Sequence, residues 1–276
     1  MQQHSESLGS SDGIRLYTQV WLPDDPKAVV IFSHGYAEHS GRYHHFASHL
    51  VENGFGVYAL DHRGHGRSEG ERANVKVFNE YVNDLSRFVN GVREKHPNLK
   101  RFLFGHSMGG LVAAQLVIEQ PNQVDGLLLS SPYLINAVSV PAPLMAVSGI
   151  VSRILPGLPT IKLESRDISR DAKVVKAYDT DPLNYRGGTK ARFGTELLGA
   201  GKYVFSRASA IKLPILIMVG TGDRIAASEG GKKLFETVSS SDKTLKTYDD
   251  YYHEILNDIG KEQIYQDIVD WLNKNS

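Results

Sequence analysis

Short, wholly apolar runs recur along the chain and are separated by stretches of mixed polarity. Short continuous apolar runs are typical of strands that a parallel sheet buries on both faces. Five such strands are predicted, at residues 28–32, 57–60, 101–104, 126–129 and 215–219. Between them, a stripe with helical spacing of three and four runs through Phe78, Val82, Leu85 and Val89. The pattern therefore alternates strands with helices.

The rest of the chain extends this alternation. A helix is predicted over residues 111–119, where Pro121 stops it, and another over residues 264–272 near the end of the chain. Residues 14–21 are strand-like, and we expect them to pair antiparallel at the edge of the sheet. Residues 244–248 predict a further strand. Strand and helix in alternation indicate an α/β fold with a mostly parallel, doubly wound sheet.

One long stretch, from about residue 133 to residue 210, breaks the alternation. It is rich in Pro, Gly and Ser, apolar in its first part and charged in its second. An insertion at this point would lie over the carboxyl ends of the strands, so we expect it to be a cap. The predicted division is a core of residues 1–132 and 211–276 with a cap of residues 133–210.

Composition narrows the class of protein. The chain has 276 residues, of which 41% are hydrophobic and 22% charged, as in ordinary globular proteins of one domain. The formal net charge of +0 argues against nucleic acid as the main partner, because phosphate binding needs a concentrated basic surface. There is no cysteine, so disulfides and thiolate metal sites are excluded. No secretory signal or membrane-spanning run is evident, and we expect a cytoplasmic protein.

The strongest chemical motif is GHSMG at residues 105–109, between a predicted strand and a predicted helix. A serine hydroxyl is a weak nucleophile and must be exposed to a base, which a sharp strand-to-helix turn achieves. Small residues two before and two after Ser107 avoid collisions in that turn. An ordinary glycine-rich turn is the alternative, but the flanking strand and helix favour Ser107 as the nucleophile of an α/β-hydrolase.

An acid and a base should follow the nucleophile in the chain. Asp223 lies in a glycine-rich loop directly after the strand at residues 215–219, whereas Asp249 and Asp250 lie in a more exposed, acidic stretch. His253 is the single histidine after Asp223. We predict that Asp223 orients His253 and that His253 takes the proton of the serine.

Two backbone amides are expected to stabilise the oxyanion that forms during acyl transfer. The Met108 N–H follows the nucleophile, and the Tyr36 N–H lies in the loop after the strand at residues 28–32, where Gly35 permits close approach. His34 is expected to brace this loop. Residues 61–68, DHRGHGRS, predict a tightly turned structural loop rather than a metal site, because no further ligands complete one.

Taken together, these motifs resemble the monoacylglycerol lipases. The resemblance rests on HG at residues 34–35, EH at residues 38–39 and RY at residues 42–43, on DHRGHGRS and GHSMGG, on AYDTDPL at residues 177–183 and on YHE at residues 252–254. It extends from about residue 13 to residue 272. Two positions depart from the family pattern: Tyr36 is bulky where a small residue or leucine is usual, and Leu256 replaces a histidine of the mammalian enzymes.

The resemblance implies hydrolysis of monoacylglycerols to a fatty acid and glycerol, without a cofactor or metal. It also implies Ser107, Asp223 and His253 as catalytic triad, and a substrate-binding group near the glycerol end formed by Glu38, Arg42 and Tyr178. Glu38 and Arg42 could instead pair with each other to fix their loop. A lysophospholipase, a carboxylesterase, a thioesterase, a proline-type aminopeptidase, a peroxidase-like relative or a non-catalytic binding protein remain alternatives.

The segment at residues 143–151 is apolar around most of its helical turns. Such a segment is either buried against the rest of the cap or exposed for contact with lipid. As a lid it would line an acyl tunnel and touch a bilayer. Charged residues in place of Leu144 and Val147 would then lower activity on micellar substrate and spare activity on soluble esters.

Overall fold

The computed structural model describes residues 2–137 and 142–276, with side chains described for residues 2–137 and 148–276. Its strands are β1 (Gln2–Gly9), β2 (Arg15–Leu22), β3 (Ala28–Ser33), β4 (Phe55–Leu60), β5 (Lys100–His106), β6 (Gly126–Ser130), β7 (Pro159–Lys162), β8 (Gly188–Lys190), β9 (Ile215–Gly220) and β10 (Lys243–Tyr248). Its α-helices are α1 (His44–Glu52), α2 (Asn79–Lys95), α3 (Met108–Glu119), α4 (Ala142–Ile154), α5 (Ala172–Thr180), α6 (Ala191–Arg207), α7 (Ser228–Thr237) and α8 (Lys261–Asn275).

Within these described residues, eight strands form one sheet in the order β1-β2-β4-β3-β5-β6-β9-β10. All neighbours from β4 to β10 pair parallel, whereas β2 pairs antiparallel with both β1 and β4. The predicted mostly parallel α/β fold is confirmed. The strands and helices inferred from apolar spacing all appear, with ends that differ by a few residues.

One prediction about the sheet is wrong in part. Residues 14–21 form an antiparallel strand as expected, but β2 is not at the edge, because β1 pairs with its whole length from Gln2 opposite Leu22 to Gly9 opposite Arg15. The first strand is almost entirely exposed. It is held by backbone hydrogen bonds rather than by an apolar face, so its sequence carries no hydrophobic alternation to reveal it.

Hydrophobic side chains fill both faces of the sheet, as the continuous apolar runs predict. Strand β3 shows the arrangement: Val29 and Ile31 join the core beneath α2 and α3, while Val30 and Phe32 join the core beneath α1 and α8. Successive residues of a strand point to opposite faces, so a strand buried on both sides needs an apolar residue at each position.

The chain between β6 and β9 contains α4, α5, α6 and a small antiparallel pair of β7 and β8. These elements fall inside the predicted cap, whose limits at residues 133 and 210 stay a prediction. The side chains of Leu144 and Val147, on which the lid hypothesis was framed, lie outside the described residues. In the part of the chain that the structure describes, no helix has both the length and the apolar character needed to cross a membrane.

Candidate active site

Ser107 occupies a strained turn between the last residue of β5 and the first residue of α3. Its backbone angles, φ 52° and ψ −117°, lie outside the regions that L-residues prefer. The flanking glycines make the turn possible. A Cβ atom on Gly105 would lie 2.5 Å from the Gly109 carbonyl oxygen, and one on Gly109 would lie 2.1 Å from the Ser33 carbonyl oxygen. The turn presents the Ser107 hydroxyl to a cavity at the carboxyl ends of the strands.

Three side chains from different parts of the chain form a continuous hydrogen-bonded row. The Ser107 hydroxyl lies 2.8 Å from Nε2 of His253, and Nδ1 of His253 lies 2.8 Å from Oδ2 of Asp223. The other oxygen of Asp223 accepts hydrogen bonds from the backbone N–H groups of Ile225 and Ala226 at 2.8 and 2.9 Å. These bonds fix the carboxylate, which in turn fixes the imidazole with Nε2 free to accept the serine proton.

Electrostatics make His253 a competent base. Burial by itself lowers the pKa of this histidine, but the charge of Asp223 and its hydrogen bond outweigh burial and hold the pKa above its ordinary value of 6.5. The neighbouring His106 is different, because burial holds its pKa well below the ordinary value. His106 therefore stays neutral, and His253 is the ring in this pair that can take up a proton near neutral pH.

The loop after β3 lies against the nucleophile. A Cβ atom on Gly35 would lie 2.8 Å from Glu38 Oε1 and 3.1 Å from the Ser107 Cβ, so a side chain at this position would crowd both residues. Tyr36 follows Gly35 and lines the same cavity as Met108. Met108 is the first residue of α3, and the first N–H groups of a helix have no acceptor within that helix. Both predicted oxyanion donors therefore border the cavity beside Ser107.

Buried histidines brace this loop, as predicted for His34. The His34 Nδ1–H donates to the Gly35 carbonyl oxygen at 2.7 Å, and Nε2 accepts from the His62 N–H at 2.9 Å. Burial lowers the pKa of His34 to about 3, so the ring stays neutral and keeps both bonds. The loop at residues 61–68 is tightly turned, with Gly64 and Gly66 at positive φ. Among the described residues, no three His, Cys, Asp or Glu side chains are grouped to hold a metal ion.

The three residues of the predicted substrate-binding group lie next to one another. Glu38 and Tyr178 line the cavity, and the Arg42 guanidinium lies 4.9 Å from the centre of the Tyr178 ring. Arg42 also donates to Glu38 at 2.6 Å, so the alternative pairing considered from the sequence is present. Sequence reasoning missed Glu254, which forms a two-pronged ion pair with Arg42. Its position directly after His253 was the available signal.

A cavity of about 610 Å³ extends from Ser107 into the region between the sheet and helices α4 and α6. Apolar side chains dominate its walls: Met108, Val151, Leu158, Ile161, Ile168, Phe193, Leu197, Leu198 and Ile225. The Tyr36 ring stacks on Phe193 with ring centres 4.3 Å apart. The cavity is also lined by the polar residues Ser107, His253 and Glu38, and such a combination of apolar and polar walls suits an amphipathic ester.

A mostly parallel sheet, a serine on a strand-to-helix turn and the chain order serine, aspartate, histidine together define an α/β-hydrolase. A family model described as serine aminopeptidase, S33, matches residues 24–260. The chain is 38% identical to the monoacylglycerol lipase of Mycolicibacterium smegmatis over 96% of this chain and 95% of that one. It is 35% identical to the human monoglyceride lipase over 98% of this chain and 90% of that one.

Solved structures agree with these sequence relatives. The crystal structure of the monoacylglycerol lipase of Paleococcus ferrophilus is similar at a TM-score of 0.82, with 32% sequence identity and 100% of both chains covered. This chain therefore belongs to the monoacylglycerol lipase family of α/β-hydrolases, which confirms the resemblance found in its motifs.

Proposed function

We propose that this enzyme hydrolyses monoacylglycerols to a free fatty acid and glycerol through an acyl-enzyme on Ser107. The observation that carries the proposal is the hydrogen-bonded row Ser107–His253–Asp223 at one end of an apolar cavity. The row supplies a nucleophile and a base, and the cavity supplies an environment for an acyl chain. The relatives named as monoacylglycerol lipases support this choice of ester.

In the first half of the reaction, Ser107 Oγ attacks the ester carbonyl carbon while its proton passes to His253 Nε2. The negative charge that develops on the carbonyl oxygen is stabilised by the N–H groups of Tyr36 and Met108. The intermediate collapses, the C–O bond to glycerol breaks, and His253 returns the proton to the departing glycerol oxygen. The acyl group is now an ester of Ser107.

In the second half, water takes the place of glycerol. His253 removes a proton from the water as its oxygen attacks the acyl carbon, and the same amides stabilise the second oxyanion. Collapse breaks the acyl–Oγ bond, and His253 returns the proton to Ser107. Asp223 stays ionised throughout and stabilises the imidazolium that forms twice in each cycle.

We assign the glycerol end of the substrate to the side of the cavity that carries Glu38 and Tyr178. Both residues line the cavity, and Arg42 lies against the Tyr178 ring from behind. Tyr178 donates its hydroxyl hydrogen to the Ala37 carbonyl oxygen at 3.2 Å and so joins helix α5 to the loop of the proposed oxyanion donors. The acyl chain would then follow the apolar walls toward Leu158 and Ile161.

A substrate panel tests this function. Steady-state rates are compared for monoacylglycerols of graded chain length, a lysophospholipid, a diacylglycerol and a peptide amide, with wild type and Ser107→Ala. We expect monoacylglycerols to have the highest kcat/KM and Ser107→Ala to lose roughly a million-fold in kcat, as other serine hydrolases do without their nucleophile. Faster turnover of diacylglycerol, lysophospholipid or the amide would reject this substrate, and an undiminished mutant would reject the mechanism.

We further propose that the end of α4, the following loop and β7 rest on a lipid surface. Ile150, Ile154, Leu155, Leu158 and Ile161 are exposed by 61, 70, 54, 43 and 43%. Large apolar side chains exposed together are costly in water and are typical of lipid or protein contact. A lipid surface is favoured because Leu158 and Ile161 also line the cavity, so the patch is continuous with the proposed acyl path.

This lipid contact has its own test. The double variant Ile150→Glu/Ile154→Glu should bind neutral phospholipid vesicles more weakly and turn over vesicle-borne monoacylglycerol more slowly, with unchanged rates on a soluble p-nitrophenyl ester. Ile259→Glu is a matched control, because Ile259 is 58% exposed but lies outside this patch. Equal losses in both variants, or on both substrates, would contradict the lipid contact.

A further inference from the structure

We propose that Glu254 is a positioning residue, whose carboxylate acts through Arg42 to tie the loop of His253 to the loop of the Tyr36 N–H. The inference rests on the proposed function, because it assigns those two loops their catalytic tasks. Glu254 lines the cavity, and its carboxylate is held by Arg42 and Asn257. A base and an oxyanion donor on separate loops must keep a fixed distance from one nucleophile, and a tie between the loops would serve that need.

The first half of the tie is a buried fork. Arg42 Nη1 and Nη2 donate to the two carboxylate oxygens of Glu254 at 2.5 and 2.8 Å. The side chains of Arg42 and Glu254 are only 9 and 4% exposed. Two parallel bonds between planar groups fix direction as well as distance. A third contact, from Asn257 Nδ2 to Glu254 Oε2 at 3.0 Å, holds the carboxylate from its own loop.

The second half runs from Arg42 into the loop after β3. The same Nη1 donates to Glu38 Oε2 at 2.6 Å, and Glu38 Oε1 accepts the Gly35 N–H at 2.6 Å. The Tyr43 hydroxyl lies 2.8 and 2.9 Å from the two oxygens of Glu38. Gly35 directly precedes Tyr36, so the chain of contacts from Glu254 ends one residue before the proposed oxyanion donor.

The charges of Glu254 and Glu38 also act on the base His253. Two carboxylates share the single guanidinium of Arg42, so this network of Glu254, Arg42 and Glu38 carries a surplus negative charge when Glu38 is ionised. Burial, and then the proximity of Glu254, raise the pKa of Glu38 to about 7 against the pull of Arg42. The groups that act on His253 are Asp223 from the loop after β9, Glu254 and Glu38 from the network, and His106 at the end of β5.

Of these groups, Glu254 and Glu38 both raise the pKa of His253, after the larger effects of burial and Asp223. Removing the charge of Glu254 should therefore lower the pKa of this base. Since His253 must be neutral to accept the serine proton, the acid limb of the pH profile of kcat/KM would move to lower pH. A residue that merely stabilised the fold would leave that limb unmoved.

Two single substitutions of Glu254 distinguish the effect of its position from the effect of its charge. Glu254→Gln keeps the shape but removes the charge, and we expect kcat on p-nitrophenyl butyrate to fall about tenfold to a hundredfold. KM should stay within about twofold, because this soluble ester has no glycerol group to lie beside Glu38 and Glu254, and the acid limb should move to lower pH. Glu254→Asp keeps the charge on a shorter stem that cannot complete the fork, so kcat should fall while the acid limb stays near that of wild type.

Asp84→Asn is the matched control. Arg63 donates to the two oxygens of Asp84 at 2.6 and 2.8 Å in an equally buried fork, but Asp84 lies on α2. We expect Asp84→Asn to lower the free energy of unfolding without moving the acid limb of the pH profile. A wild-type kcat in Glu254→Gln, or a loss with an unmoved acid limb, would overturn the proposal. If that variant fails to fold, a wild-type kcat in Glu254→Asp overturns it instead.

The inference and the proposed function fail in different ways. An active Ser107→Ala variant would reject the proposed mechanism as a whole. An inactive Ser107→Ala variant together with an unmoved acid limb in Glu254→Gln would reject the tie alone.

Discussion

Tyr36 contributes its backbone and its side chain to two different parts of the site. Its backbone N–H is the proposed oxyanion donor, and any residue type would supply the same group. Its ring stacks on the fully buried Phe193 and forms part of the cavity wall. A backbone function leaves the side chain free to vary, so this chain can carry tyrosine where its family usually has a smaller residue.

Tyr36→Ala should therefore alter chain-length preference rather than chemistry. The deleted ring opens space along the cavity, and each additional methylene that becomes buried contributes about 0.8 kcal/mol, or roughly fourfold in kcat/KM. We expect the ratio of kcat/KM for long over short monoacylglycerols to rise about tenfold. The measurement is a series of acyl lengths with wild type, Tyr36→Ala and Tyr203→Ala, a control outside the cavity. An unchanged ratio would show that Tyr36 does not limit the acyl chain.

The prediction of the catalytic triad rests on chain order, and the structure brings its three side chains into one hydrogen-bonded row. Ser107, Asp223 and His253 follow the fixed order of this fold, and only one histidine was available after Asp223. Glu254 was missed because a glutamate beside a histidine has no spacing rule. Its partner Arg42 lies 212 positions earlier in the chain, and only folding brings the two together.

Among the secondary-structure elements, β5 and α3 are joined by a tightly packed turn that leaves little space for side chains. Gly109 allows α3 to pass directly over the end of β3, where even one additional carbon would collide with two carbonyl oxygens. The positive φ of Ser107 is stored strain, held by this packing on either side. The GHSMG motif therefore reflects close contact between helix α3 and strands β3 and β5.

Gly109→Ala should damage both stability and activity. The added Cβ would lie 2.1 Å from the Ser33 carbonyl oxygen, so helix or strand must move. We expect a loss of about 3 kcal/mol in the free energy of unfolding, as overpacked cores show, with activity largely abolished. Gly91→Ala on α2 is the control: nothing lies within 4 Å of its new Cβ, and a gain of about 1 kcal/mol is expected. Equal urea midpoints for the two variants would contradict the close approach.

At the scale of the whole molecule, several histidines are buried without charge. Burial lowers the pKa of His34 and of His65 to about 3, and it holds those of His62 and His106 well below the ordinary value. Unfolding exposes each ring to water, where it gains a proton below about pH 6.5. Between pH 6.5 and about 3 the unfolded chain therefore binds more protons than the folded protein.

The free energy of unfolding should consequently fall as the pH drops below 6.5. Each buried histidine contributes about 1.4 kcal/mol per pH unit in that window. Glu38 opposes this trend between about pH 7 and its ordinary value of 4.5, because its raised pKa lets the folded protein bind the extra proton. Urea unfolding at pH 7.5 and 5.5 measures the slope. His65→Gln should reduce this slope by the contribution of one histidine. A free energy of unfolding that stays constant or rises as the pH falls would refute this prediction.

Patterns in the amino-acid sequence predict the alternation of strands and helices, the turn at Ser107 and the order of its two proposed partners. Apolar spacing and glycine placement act over a few residues, and the order of the three triad residues can be read directly from the chain. Three features become visible only in the folded chain: β1 forms the edge of the sheet, Tyr36 stacks on Phe193, and Glu254 reaches Arg42. Those contacts join residues distant in the chain through backbone pairing, ring packing and buried charge, which leave no periodic pattern in the sequence.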